Sequence, residues 1–234
     1  MTEVPARFKV FPLGDSAVLA EFGTSLNLEV NAKLQQLAEA VRVKDPRWIR
    51  DIVPALASLA LHFDPARLPP DIDPVAAAEA LLQECLSAKA GTRRAKPESI
   101  DVPVCYGAEL APDLEEVAER VKLTVAEVVR RHTATEHRVL MMGFSPGQPY
   151  IGGLDPKLAV PRRATPRTRV PAGSIAIANE QTAVYPFEIS GGWNVIGRTP
   201  LKVFDSARIP AALFSPGMIV RFVPISHAEY ERLT

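Results

Sequence analysis

The chain has 234 residues, and its 27 basic and 27 acidic side chains leave no formal net charge at pH 7. This length is enough for one large domain or two modest ones, each with a sizeable core. The neutral balance argues against bulk binding of nucleic acid, because neutralising phosphates requires an excess of Lys and Arg over one face. The N-terminus lacks a continuous apolar region and no run of about 18 apolar residues follows, so we expect a cytoplasmic protein without a membrane segment.

Residues 1–90 predict a small α+β domain. From Leu28 the apolar residues recur at the spacing of one helical face, and Asp73 followed by Pro74 is typical of an N-cap and first helical position. The predicted elements are strands at 7–13 and 17–22, a helix from Leu28, strands at 49–53 and 59–63, and a helix from Pro74 to about Ser87. This ββαββα order predicts a small antiparallel sheet with two helices on one face.

The polar segment 91–98, bounded by Gly and Pro, is the predicted linker to a second domain at 99–234. A strand at 100–104 opens this domain, and two helices follow, beginning near Asp113 and Thr124. Thr124 and Glu127 have the spacing of a capping box. Later β runs, separated by Gly and Pro, are predicted at 137–142, 174–178, 182–187, 193–196 and 218–223. Several short strands joined by such loops favour a closed or nearly closed barrel.

The pentapeptide Gly143-Phe144-Ser145-Pro146-Gly147 formally matches the nucleophile elbow of esterases. The elbow needs a backbone N–H after the serine, and Pro146 has none. We therefore interpret the segment as a bend that packs Phe144 and Tyr150 inward. The same glycines lack the lysine of a phosphate-binding P-loop.

Four arginines lie within eight positions: Arg162, Arg163, Arg167 and Arg169. With Lys157, and against the single acid Asp155, they give a local charge of about +4, enough to attract an anion. Arg162 and Arg167 each follow a proline, so a stiffened loop presents their guanidinium groups to carboxylate or phosphate. Arg163 and Arg169 are interpreted as solvated.

Arg198, between Gly197 and Thr199, is a third candidate anion ligand, because a long cation beside glycine on a β element rarely serves only to fill space. We expect it to share one concavity with Arg162 and Arg167. The remaining predicted substrate- or anion-binding residues are Gln181, Tyr185 and Thr199. An apolar groove is predicted from Phe144, Pro146, Tyr150, Pro186 and Trp193. No catalytic residue can be assigned.

No metal site is expected from His62, His132, His137 and His227, which we predict to be surface or structural residues. Cys85 and Cys105 are predicted to be reduced thiols.

Four segments of the chain resemble one known family. They are GFSPGQPYIGGLDPKLAVPRRATPRTRVPAGSIAIANEQTAVYP, GGWNVIGRTPLKVFD, the upstream VPVCYGAELAPDLEEVAERVKLTVAEVVRRH and, near the start, FPLGDSAVLAEFG. The family is that of KipI, also called allophanate hydrolase subunit 1-like or the B subunit of 5-oxoprolinase. Three departures are visible: Gln148 where the family usually has an aromatic residue, Asn179 where it has glycine, and Ser190 where it has proline. Gln148 is expected to make the pocket edge more polar.

The resemblance implies an α+β protein whose C-terminal domain is a cyclophilin-like β-barrel. It also implies a role as the B subunit of an ATP-dependent 5-oxoprolinase, which hydrolyses 5-oxo-L-proline to L-glutamate together with an A subunit and a KipA-like C subunit. ATP would be used by the complex and not necessarily bound by this chain. One alternative is a KipI-type inhibitor of histidine kinase autophosphorylation, with the apolar groove as its docking surface. Another is an accessory role related to urea carboxylase and allophanate hydrolase.

Overall fold

A computed structural model describes residues 8–87 and 97–234 of the chain, which divides into two compact units, Met1–Lys96 and Pro97–Thr234. Apart from its last two residues, the predicted linker at 91–98 lies outside the described ranges, so its role stays a prediction. Within those ranges no helix is long and apolar enough to cross a membrane.

The first unit contains the ββαββα order that the sequence predicts. Its elements are β1 (Lys9–Pro12), β2 (Ala17–Glu21), α1 (Leu28–Lys44), β3 (Ile49–Pro54), β4 (Ser58–Phe63) and α2 (Pro74–Ser87). The four strands form one antiparallel sheet in the order β1-β2-β4-β3. The two helices pack on each other and on this sheet, and together they bury a single core.

Helix α1 begins where its sequence supplies a cap. The side chain of Asn27 accepts hydrogen bonds from the backbone N–H groups of Glu29 and Val30, which have no partner within the helix. Its buried apolar residues are those at helical spacing: Leu34, Leu37, Ala38 and Val41. The helical face read from the sequence is therefore the face that packs on the sheet.

The second unit is built around a closed barrel of seven strands, in the order β10-β7-β6-β13-β5-β12-β9. The strands are β5 (Ser99–Cys105), β6 (His137–Met142), β7 (Pro149–Gly152), β9 (Ser174–Ala178), β10 (Gln181–Val184), β12 (Asn194–Arg198) and β13 (Ile219–Ile225). A separate two-stranded sheet joins β8 (Arg167–Val170) to β11 (Ile189–Gly191). The helices are α3 (Leu114–Arg120), α4 (Val125–Thr133) and α5 (His227–Leu233). The predicted barrel is thus confirmed.

Some boundaries differ from the prediction. The run expected at 182–187 leaves the ladder at Val184, since Pro186 cannot donate a ladder hydrogen bond. The strands β7, β8 and β11 were not predicted, because each has only three or four residues and borders Gly or Pro. Helix α5 was also missed, although Ser226 and Glu229 form a complete capping box at its start.

The capping box predicted for α4 is half present. The Thr124 hydroxyl accepts from the Glu127 backbone N–H at 3.2 Å. The Glu127 carboxylate pairs instead with Arg130 and Arg131, at 2.7 to 2.8 Å. The hydrogen bonds from Arg130 make the largest contribution to lowering the pKa of Glu127, and the charge of Arg131 adds to it, so that this pKa is about 2.

The barrel wall formed by β9 is buried on both sides. Ile175 and Ile177 point into the main barrel core, whereas Ala176 and Ala178 belong to a second, smaller cluster. Successive side chains of a strand face opposite sides, so this second cluster lies on the outer face of the wall. Its other members are Val170, Ala183, Tyr185, Trp193 and Val195, with Tyr150 and Ile189 at its edge. The β8–β11 sheet supplies Val170 and Ile189, so it covers this outer face.

Candidate functional site

The arginine-rich loop is fastened to the barrel by Asp113, whose side chain is only 2% exposed. Arg167 donates to both carboxylate oxygens of Asp113, at 2.6 and 2.7 Å, and Arg163 donates to one of them at 2.5 Å. The backbone N–H of Val195 in β12 adds a fourth hydrogen bond, at 2.7 Å. Asp113 stands at the N-cap position of α3, yet it makes no side-chain cap bond there. Its carboxylate joins α3, β12 and the loop.

A second anchor holds the residues that flank Arg162. The side-chain amide of Asn194 donates to the carbonyl oxygen of Pro161 at 2.9 Å and to that of Ile177 at 3.1 Å. On the other side, the backbone N–H of Arg163 donates to the carbonyl oxygen of Gly192 at 2.8 Å. Because Asn194 is buried, this anchor is fixed to the barrel wall. The loop therefore presents Arg162 from a defined backbone.

The four arginines of this loop have different environments. Arg163 and Arg167 face Asp113, and Arg163 also contacts Glu116 at 3.2 Å, so the interpretation of Arg163 as a solvated residue was wrong. Arg169 is 81% exposed and lies 3.7 Å from Glu188, which agrees with a solvated role. Arg162 alone among them has no carboxylate within ion-pair distance in the described ranges. Its guanidinium carbon lies 5.9 Å from the centre of the Trp193 ring, a cation–π distance.

Beside Arg162, three aromatic residues meet. Tyr150 packs edge-on against Trp193, with ring centroids 5.7 Å apart, and Tyr185 lies buried in the same outer cluster. A Cβ added to Gly191 would overlap the Tyr185 hydroxyl, so the missing side chain makes room for this phenol. The Tyr150 hydroxyl has no hydrogen-bond partner among residues 8–87 and 97–234, and it remains available as a donor.

The charges of the nearby arginines affect the pKa values of Tyr150 and Tyr185. Burial raises the pKa of Tyr150, and the charge of Arg162 acts in the opposite direction. Burial also raises the pKa of Tyr185, and the charge of Tyr150 adds to this, while the Trp193 backbone N–H, Arg162 and Arg167 oppose it. Both phenols are therefore protonated near neutral pH. A protonated phenol beside a guanidinium can donate a hydrogen bond to the oxygen of an anion.

The other predicted anion ligands are not all gathered here. Arg198 follows Trp193 by five residues, which at roughly 3.3 Å per strand residue puts their Cα atoms about 16 Å apart. The Arg198 Nε donates to the carbonyl oxygen of Ala172 at 2.8 Å. Thr199 is buried, and its hydroxyl accepts from the Leu201 backbone N–H at 3.3 Å. Arg162 and Arg198 thus lie toward opposite ends of β12 and not side by side.

Gln181 opens β10, where it pairs with Ala178 of β9. Its amide nitrogen is shielded from solvent and has no hydrogen-bond partner in the described part of the chain. Since β12 pairs Asn194 with Ile177, Gln181 lies toward the Asn194 end of the wall. It is thus nearer to the loop anchored by Asn194 than to Arg198.

The predicted apolar groove is divided. Tyr150 and Trp193 are in contact, and Pro186 is buried, but Phe144 and Pro146 are exposed on the turn that precedes β7. Phe144 is 68% exposed and has a φ of 72°, so the expectation that it packs inward was wrong. A positive φ at a non-glycine residue is uncommon, and here the turn directs the side chain outward.

Two of the three departures from the family pattern have a local structural explanation, and the third has none. Gln148 is buried and its side-chain oxygen accepts from the Ser145 hydroxyl at 3.1 Å, so it closes the turn and does not line an open pocket edge. Asn179 has a φ of 52°, a left-handed conformation that favours glycine and that asparagine tolerates. Ser190 is exposed at an irregularity of β11. Nothing in the structure explains why serine replaces proline there.

Sequence reasoning also missed a buried polar cluster inside the barrel. His132 and His137 are both fully buried. The Tyr106 hydroxyl lies 2.8 Å from His132 Nδ1, and the Thr182 hydroxyl lies 3.3 Å from its Nε2. His137 Nε2 lies 2.8 Å from the carbonyl oxygen of His132 and must donate to it, so this ring carries its proton on Nε2. These contacts agree with the structural role predicted for the histidines. The burial was not evident from their spacing.

The chain belongs to a known family of domains, identified by a family model that matches most of its length. Residues 8–214 match the family model described as carboxyltransferase domain, subdomain C and D. The urea amidolyase of K. lactis contains a region of the same fold, with a TM-score of 0.78 over 99% of this chain and 16% of that one, at 19% identity.

Relatives with higher sequence identity assign the chain to a narrower family. The chain is 38% identical to the B subunit of 5-oxoprolinase from Bacillus subtilis (strain 168), over 96% of its own length and 95% of that relative. The crystal structure of TTHA0988 is 34% identical and has a TM-score of 0.76. It covers 90% of this chain, which spans only 40% of that longer one. The chain belongs to the family of 5-oxoprolinase B subunits.

Proposed function

We propose that this chain is the B subunit of a cytoplasmic, ATP-dependent 5-oxoprolinase. The complex would hydrolyse 5-oxo-L-proline to L-glutamate and would also contain an A subunit and a KipA-like C subunit. The observation that carries the proposal is the 38% identity to the B subunit of 5-oxoprolinase from Bacillus subtilis, which extends over nearly the whole of both chains.

The chemistry of this reaction suits a chain that binds an anion without supplying a nucleophile. A lactam amide is a poor electrophile, and phosphorylation of its oxygen by ATP would create a leaving group and activate the carbon. Both the substrate carboxylate and the triphosphate are anions, for which a guanidinium is the matching ligand. Arg162, held by the two loop anchors, is the group of this chain that supports such a role. Ser145 supports none, because its hydroxyl donates to Gln148 and Pro146 follows it.

The test is reconstitution of the three proteins and measurement of glutamate formed from 5-oxoproline and ATP. Omission of this chain is expected to abolish the activity. Arg162→Ala is expected to lower kcat/KM by at least about ten-fold, the loss typical of a charged hydrogen bond. Arg169→Ala, in the same loop but 81% exposed, is the matched control and should retain activity. Full activity without this chain would refute the proposal.

A second candidate function is inhibition of histidine kinase autophosphorylation. The observation that favours it is the outward-facing Phe144, since aromatic residues, phenylalanine among them, are enriched at protein–protein interfaces. Calorimetry with the helical dimerisation domain of a histidine kinase tests this function. Binding that Phe144→Ala weakens would support it.

A third candidate is an accessory role in carboxyl transfer, favoured by the description of the matching family model. It predicts transfer of a carboxyl group from carboxybiotin to urea by the assembled complex. Release of glutamate without any carboxylated product would exclude it.

A further inference from the structure

Of the four arginines in the loop, Arg162 is the one without a carboxylate at ion-pair distance among the residues that the structure describes. Arg163 and Arg167 are held by Asp113 and Glu116, and Arg169 lies near Glu188. The local charge of about +4 expected from the sequence is therefore reduced by acids that approach from α3 and from the segment before β11. Arg162 remains, with its guanidinium over the Trp193 ring.

We propose that Arg162, Tyr150 and Trp193 form the subsite for the single carboxylate of the substrate, and that the triphosphate is bound outside this chain's loop. This inference rests on the proposed function, since it divides the two anions of that reaction between the proteins of the complex. Its ligand class is a small monocarboxylate on a compact ring.

The donors match this class in number and chemical type. A guanidinium offers two parallel N–H groups that fit the two oxygens of one carboxylate, and the unpartnered Tyr150 hydroxyl supplies a third donor. The Trp193 face keeps the guanidinium in place through the cation–π contact. A triphosphate carries several negative charges, and its usual sites combine a lysine, a nest of backbone N–H groups and a metal ion. A single unpaired guanidinium does not provide this.

The subsite is organised before the ligand arrives. Pro161 and Arg163, on either side of Arg162, are both hydrogen-bonded to the barrel wall, through Asn194 and Gly192. Asp113 fixes the loop further along, at Arg167. Binding energy is then not needed to order the loop, which favours recognition of a small ligand with few contacts.

The test is calorimetry on the full chain, alone and in the reconstituted complex, with three probes. They are 5-oxo-L-proline, 2-pyrrolidinone, which has the same ring without the carboxylate, and ATP. We expect binding of 5-oxo-L-proline to weaken by about ten-fold or more in Arg162→Ala and by a few-fold in Tyr150→Phe, following the loss of charged hydrogen bonds. Arg169→Ala should bind as the wild type does. Binding of 2-pyrrolidinone should be weaker than that of 5-oxo-L-proline and the same in wild type and Arg162→Ala.

The fluorescence of Trp193 provides a second measurement of ligand binding. The chain has two tryptophans, and Trp48→Phe leaves Trp193 as the sole reporter. 5-Oxo-L-proline should change its fluorescence, whereas Arg162→Ala should remove the change. The proposal is overturned if affinity for ATP depends on Arg162, or if neither the chain nor the complex binds 5-oxo-L-proline in an Arg162-dependent way. Arg162-dependent binding without turnover in the complex would instead refute the proposed function and leave the carboxylate subsite standing.

Discussion

Arg167 and Asp113, 54 positions apart in the sequence, form a bidentate ion pair with N–O distances of 2.6 and 2.7 Å. A carboxylate that is 2% exposed requires such partners, because an unpaired buried charge is costly. The pair makes Arg167 a structural residue within this chain. It also gives the loop its fixed position next to Trp193, from which Arg162 extends.

Asp113→Asn is therefore expected to destabilise the barrel unit by about 3 kcal/mol, the cost of removing one partner from a buried ion pair. An asparagine would leave Arg167 without a countercharge and Arg163 with Glu116 alone, and it would turn amide N–H groups toward other donors. Glu116→Gln removes a more exposed acid from the same cluster and should cost less than about 1 kcal/mol. Urea unfolding of the Trp48→Phe variant, followed by Trp193 fluorescence, measures both. Equal effects of the two substitutions would contradict the role assigned to Asp113.

Two adjacent glycines should respond differently to alanine. A Cβ on Gly191 would overlap the Tyr185 hydroxyl, whereas a Cβ on Gly192 would lie 3.5 Å from the Pro166 ring, an ordinary contact. We expect Gly191→Ala to destabilise the barrel unit by about 1–3 kcal/mol, as overpacking of a core does. Gly192→Ala should be close to neutral. The urea midpoints of the two variants test this difference. An unchanged midpoint for Gly191→Ala would show that Tyr185 moves aside at no cost.

The buried histidines should make the barrel sensitive to acid. Burial, followed by the nearby His137, lowers the pKa of His132 well below its ordinary value. Burial also lowers the pKa of His137, although the carbonyl groups of His132 and Gly152 act in the opposite direction. The unfolded chain then binds protons that the folded chain does not. Stability should be constant above about pH 7.5 and fall below about pH 6.5, by about 1.4 kcal/mol per pH unit for each extra proton.

Urea unfolding between pH 5 and pH 8 measures this slope. NMR of the imidazole nitrogens provides an independent check on the folded chain. Both rings should titrate below the range of an ordinary imidazole, and the neutral His137 ring should carry its proton on Nε2, the nitrogen that faces the His132 carbonyl oxygen. A ring that titrates near pH 6.5 in the folded chain would disprove the assignment for that residue.

Substitution of Phe144 by asparagine is expected to stabilise the chain. Its φ of 72° is unfavourable for a bulky side chain, and asparagine tolerates this region better. Phe144→Asn should therefore stabilise the isolated chain by about 0.5–1 kcal/mol, because little apolar burial is lost at 68% exposure. Ile209→Asn removes an almost fully exposed apolar side chain without a left-handed φ, and should leave the urea midpoint unchanged. A loss of stability in Phe144→Asn would mean that the ring packs on the turn.

Local signals in the sequence were enough for most elements of both units. The periodic helix at α1, the cap at Thr124, and the runs that became β6, β9 and β13 all depend on residues close together in the chain. Strands of three or four residues, such as β11, carry too few residues for a period to be visible. Their position is decided by the partner strand, in this case β8.

The sequence by itself determined the family, the barrel and the presence of a cation-rich loop, since these follow from composition and from motifs within short spans. Which arginine of the loop lacks an acidic partner among the described residues was decided by the tertiary structure alone. Asp113 reaches Arg163 and Arg167 only because α3 packs against β12, and Asn194 holds Pro161 only because β12 pairs with β9. A local count of charges cannot include a carboxylate that lies about fifty residues away and enters the loop through folding. For that reason Arg167, predicted as an anion ligand, is held by Asp113, while Arg162 remains over Trp193.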